Sequence, residues 1–88
     1  MFEKEVVVTS DAGVHARPAM MLVREAMKYT CKVSLLKDNV EADGKSIMSV
    51  LGLAISNGSN LVIQADGEGE EEVVNKIVDL IENNFNIG

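Results

Sequence analysis

Gly13-Val14-His15-Ala16-Arg17-Pro18-Ala19 is the stretch from which the fold is read. It holds the only histidine and the only proline of the protein. Proline is tolerated in the first turn of a helix and breaks a helix interior. Ala19, Leu22, Val23 and Ala26 follow at helical spacing. Pro18 therefore belongs to a first helical turn, and His15 to the N-cap or its neighbour. Gly13 allows a sharp turn just before. Upstream, Phe2 to Val8 reads as a strand, with Val6-Val7-Val8 β-branched and Asp11-Ala12-Gly13 ending the run.

This placement has chemical content. The free N–H groups of a first turn, here those near Ala16 and Arg17, face the region that His15 can occupy. Together with the positive end of the helix dipole they make a cradle for an anion. Arg17 adds a planar cation suited to phosphate oxygens. A nucleophilic imidazole beside such a cradle is what transient phosphorylation on histidine requires. The plainer alternative is a histidine that only borders a helix, next to a solvated arginine.

Downstream, the first helix is expected to run to Lys28 or Tyr29. Its core stripe is Ala19, Leu22, Val23 and Ala26. The other stripe is Arg17, Met20, Arg24 and Met27, flanked by Met21 and Lys28. Methionine beside cations reads as an adaptable docking surface for an acidic partner, against the alternative of core overflow. Cys31 to Leu36 alternates, with Cys31, Val33 and Leu35 on one face and Lys32 and Ser34 on a wetted one. Lys37-Asp38-Asn39 signals a turn, and Val40 to Asp43 a short returning strand. Ser46 is placed to cap a second helix, Ile47 to Ala54. That helix is apolar nearly all round, so Ile47, Met48 and Leu51 are expected to remain as an exposed binding patch. Leu61 to Ala65 reads as a central strand. Glu70, Glu71 and Glu72 open a third helix with Val73 or Val74, Ile77, Leu80 or Ile81, and Phe85 inward, and Asn83, Asn84 and Asn86 fray its end. The glycines of Asp66-Gly67-Glu68-Gly69 are no phosphate loop, since the Lys-Ser/Thr ending is missing and the acids repel phosphate.

The order β-α-β-β-α-β-α is the split β-α-β plan. It predicts one α+β domain over residues 1–88: a two-layer, open-faced β-sandwich with a four-stranded, mostly antiparallel sheet and three helices on one face. The chain is too short for an enclosed cofactor cavity and a second lobe, so no cofactor and no metal site are expected. Cys31 is alone, which excludes an internal disulfide and suits a reducing compartment. No signal peptide or membrane span is read, and the expectation is a soluble, cytoplasmic protein. The net charge of −6 lies in Asp66 to Gly88, where seven acids face Lys76 alone. An acidic total with few aromatics argues against a nucleic-acid partner.

Gly13 to Ala19 resembles the active-site signature of the HPr family, the histidine-containing phosphocarriers of the bacterial phosphotransferase system. Gly44-Lys45-Ser46-Ile47-Met48-Ser49-Val50-Leu51-Gly52-Leu53 resembles that family's regulatory-serine helix, and the spacing of the two segments and the chain length also fit. One departure is Met20, where the family often has a small hydroxyl residue, and it bears on partner preference. The resemblance implies the same open-faced fold and a phosphoryl-transfer protein rather than a stand-alone enzyme. It implies phosphate carried on His15, on Nδ1, with enzyme I as donor and enzyme IIA proteins as acceptors. It also implies phosphorylation of Ser46 by a serine kinase/phosphorylase and a transcriptional regulator as further partner; separately, a monomer is expected. Alternatives are a nitrogen-branch or regulatory paralogue and, from another class, a small-molecule-sensing split β-α-β domain.

Overall fold

Alternation along the strands decides which side of the sheet is dry. The computed structural model describes residues 1–9 and 13–86; Asp11 and Ala12, read above as turn residues, lie outside them. The elements are β1 Phe2–Val7, α1 Ala16–Met27, β2 Lys32–Lys37, β3 Val40–Asp43, α2 Ile47–Gly52, β4 Asn60–Asp66 and α3 Glu70–Glu82. A 3-10 turn, Asn84–Asn86, follows. The sheet order is β1-β4-β2-β3, and every neighbouring pair is antiparallel. β1 and β2 both run against β4, which is inserted between them, so the first β-α-β unit is split as expected.

One face of this sheet carries Val6, Leu61, Ile63, Ala65, Val33, Leu35 and Ala42, all buried. The helices cover it. α1 contributes Ala19, Leu22, Val23 and Ala26, and α3 contributes Val73, Val74, Ile77, Val78 and Ile81. Phe85 closes the bottom of this core from the 3-10 turn, where it adopts φ 57°. The opposite face carries Glu3, Glu5, Lys32, Ser34, Glu41 and Gln64 in register. Full burial of a Leu, Ile or Val contributes about 1.5–3 kcal/mol, so this single core holds both layers together.

Three local readings are adjusted by the structure. Ser34 lies on the outer face but is buried, because Gln64 and Asp43 flank it and its hydroxyl donates to the Glu41 carboxylate at 3.1 Å. Leu51 is half-buried and packs against the core instead of standing free. α2 stops at Gly52, because Lys37 Nζ donates to the carbonyls of Leu53 and Ala54 at 3.1 and 3.0 Å, and Ala54 turns away at φ 52°. The β2–β3 turn is the two-residue kind. Lys37 pairs with Val40, and both Asp38 and Asn39 have positive φ, 51° and 67°. That geometry matches strand twist and is tolerated by Asp and Asn.

Candidate functional site

The loop that delivers His15 is fastened from behind. Gly13 has φ +67° and is buried, and a Cβ there would meet the Ile55 carbonyl oxygen at 2.3 Å. Val14 N–H donates to the same carbonyl at 3.0 Å, and its side chain is buried. Only glycine fits so tight an approach with that backbone. His15 then takes extended backbone, φ −99° and ψ −164°, as the N-cap of α1. Its carbonyl accepts the Ala19 N–H at 2.9 Å, and its ring makes no capping bond and is exposed.

Pro18, the third helical residue, has no N–H to offer and is buried. The donors left without a helical partner are therefore those of Ala16 and Arg17, as the sequence indicates. No acid stands in the first turn. Arg17 is exposed beside the ring in sequence, and no ion pair among the described residues uses it or Arg24. Glu25, the nearest helical acid, pairs with Lys28 at 3.4 Å, and Asp11 lies outside the described residues. The described part of the site thus offers one imidazole, two backbone donors and a guanidinium, open to solvent. It suits a group handed from surface to surface rather than a bound small substrate. Among the described residues, a hollow of about 160 Å³ lies on the open sheet face, lined by Lys32, Ser34, Glu41 and Gln64. No group of three or more potential metal ligands occurs among the described residues.

α2 packs against α1 and brings Ser46 with it. Ser46 Oγ accepts the Ser49 N–H at 3.2 Å, the N-cap bond expected. The preceding loop is stapled at three points. Gly44 N–H donates to the Val33 carbonyl at 2.8 Å, Lys45 N–H to Asp43 Oδ1 at 2.9 Å, and Lys45 Nζ to the Tyr29 carbonyl at 2.6 Å. The last bond ties the start of α2 to the end of α1, where carbonyls lack helical partners. Neither this lysine clamp nor the Ile55 contact was visible in the sequence, since spacing carries no signal for partners in distant segments.

The apolar surface divides. Met48 is 77% exposed, Met27 63%, Met20 39% and Ile47 37%. Met21 and Leu51 are half-buried against the core, and Arg24 is exposed. α1 thus exposes Met20, Arg24 and Met27, and α2 exposes Ile47 and Met48.

Comparison with known proteins follows the same lines. A family model described as "PTS HPr component phosphorylation site" matches residues 2–83. Phosphocarrier protein HPr of Pseudomonas aeruginosa is 40% identical over 85 residues, 96% of this chain and 94% of that protein. HPr-like protein Crh of Halalkalibacterium halodurans is 37% identical over 82 residues, 93% of this chain and 98% of that protein. The crystal structure of HPr-C-His from Thermoanaerobacter tengcongensis superposes with a TM-score of 0.95 at 36% identity, covering 100% of this chain and 99% of that one. An HPr dimer from the same organism gives 0.77 at 38% identity, covering 97% and 98%.

Proposed function

The chain belongs to the HPr family of phosphotransferase-system phosphocarriers, and on that premise we propose that His15 is the residue that carries the phosphoryl group. The observation that supports this is the exposed ring at the N-cap of α1, beside the unpaired N–H groups of Ala16 and Arg17. The donor is enzyme I, charged from phosphoenolpyruvate, and the acceptors are enzyme IIA proteins. An imidazole nitrogen attacks phosphorus as the donor's bond to it breaks, and the N–P bond forms. The backbone donors and Arg17 offset charge on the equatorial oxygens. Because the site is open, the same contacts serve loading and unloading. Docking uses Met20, Met21, Arg24 and Met27 of α1 with Ile47, Met48 and Leu51 of α2. In this proposal the protein acts in the cytoplasm and as a monomer. Among the described residues, no helix is long and apolar enough to cross a membrane.

Ser46 is the regulatory position in this proposal. Its phosphate would bring roughly −1.5 to −2 charges to the start of α2, which carries Ile47 and Met48. An acidic partner would be repelled there and an apolar contact broken. Ser46→Asp is expected to fold normally yet to accept phosphate at His15 more slowly.

The test is acid-labile labelling by enzyme I and phosphoenolpyruvate. His15→Ala should abolish it with the fold intact, and undiminished labelling would overturn the assignment. Arg17→Ala should keep the nucleophile but lose a charge-assisted contact of about 1.5–3 kcal/mol, seen as a slower initial rate. A purely regulatory paralogue would share the fold and fail this assay, which separates that reading.

A further inference from the structure

The sulfur atoms of this chain are unevenly sheltered. Its one thiol, Cys31, is 4% exposed. Three helical methionines stand outside: Met48 is 77% exposed on α2, and Met27 and Met20 are 63% and 39% exposed on α1, while Met21 is half-buried against the core. No methionine is among the buried core residues. An oxidant in solution therefore meets thioether before thiol, and on this face meets it on the two helices that begin after His15 and Ser46.

We propose that Met48 is a reversible oxidation site whose sulfoxide weakens docking on the α1–α2 face and so slows loading of His15. The inference rests on the docking surface proposed above. In the step itself the Met48 sulfur attacks one oxygen of hydrogen peroxide. The O–O bond breaks, an S–O bond forms, and water leaves. Sulfur loses two electrons and the peroxide gains them. The product is a polar, chiral side chain where a flexible apolar one stood. Such methionine surfaces act through adaptable apolar contact, and a sulfoxide oxygen buried there without a donor opposes it. Oxidation needs no change in the fold, because Met48 points away from a helix anchored by buried Val50 and by Leu53 just beyond its end. A methionine sulfoxide reductase with a dithiol reverses the step: the sulfoxide becomes thioether, the dithiol becomes disulfide, and water is released.

The experiment exposes the whole chain to hydrogen peroxide, removes the excess with catalase, and then adds enzyme I and phosphoenolpyruvate. Peptide masses locate the added oxygen, and initial labelling rates report docking. Met48 should gain one oxygen while Cys31 gains none, and the rate should fall about tenfold. Reductase treatment should restore it. Met48→Leu has no thioether at this position, so peroxide should slow it less than the parent, the remainder being what oxidation of Met20 and Met27 costs. Met1, 71% exposed at the open sheet face, oxidises in both proteins and serves as a control. The proposal is overturned if Met48 resists oxidation, if its sulfoxide leaves the rate unchanged, or if Met48→Leu slows as much as the parent. Met48→Glu without peroxide separates the two readings. If it slows loading while the sulfoxide does not, only the oxidation site fails. If neither slows loading, the docking surface fails.

Discussion

Tyr29 closes two joints at once. Its carbonyl accepts Lys45 from the start of α2, and its hydroxyl donates to the Glu72 carboxylate in the first turn of α3. Its ring also fills the space beside Gly69. The hydrogen bond to Glu72, with desolvation and the negative charge of Glu72 behind it, favours the neutral phenol and pushes its pKa up to about 12 from 10.0. A raised pKa on an acid means that the folded state holds its proton more tightly than the unfolded chain. The stabilisation is therefore complete below pH 10 and is lost as pH rises towards 12. Tyr29 is the only tyrosine, so the phenolate absorbance reports it without ambiguity. Its midpoint should lie well above 10 and move back towards 10 in Glu72→Gln; a parent midpoint of 10 would rule the bond out. Glu70 behaves oppositely. The Gly67 N–H, donated to its carboxylate at 3.0 Å, lowers its pKa, so its contribution is present above the usual 4.5 and is lost as pH falls through the depressed value.

The six-residue α2 is too short to stand on propensity. Ser46 holds its first turn, Lys37 Nζ donates to the carbonyls beyond its last, and Val50 and Leu53 bury its underside. Ser46→Ala should cost about 0.5–2 kcal/mol in urea denaturation. Gly13→Ala should cost more, at least ~1–3 kcal/mol from backbone strain alone, because its Cβ also runs into Ile55. Gly13→Ala as stable as the parent would mean that the loop can swing clear of Ile55. Much of this level was legible in the sequence. Pro18 and the apolar spacing gave α1, and the hydroxyl after Asp43-Gly44-Lys45 gave the cap of α2. What escaped was depth. Alternation assigned Ser34 to the outer face correctly, but only its neighbours Gln64, Asp43 and Glu41 bury it. Likewise the helical pattern could not say that Leu51 leans on the core while Met48 does not.

At the scale of the whole molecule, one core spans both layers, so urea should unfold the protein in a single transition. The path to that state is set by the strand order. The β2–β3 hairpin closes through two residues, but Phe2 must wait for Ala65 and Val6 for Leu61. Pairings so distant in the chain reward their loop closure late. Val6→Ala should therefore speed unfolding by most of its energetic cost and leave the refolding rate nearly unchanged. Stopped-flow rates check this, and a slowed refolding limb would place β1 in the folding nucleus instead. The same order matters while the chain is being made. Phe2–Val7 leaves the ribosome before Asn60–Asp66 and stays unpaired until that strand has been synthesised. For that interval it is an open strand that a neighbouring nascent chain could join, and Glu3, Lys4 and Glu5 place three successive charges along it. Charges on an unpaired strand are a known guard against such pairing, so the polar sequence of β1 protects the unfinished protein as well as wetting the finished one.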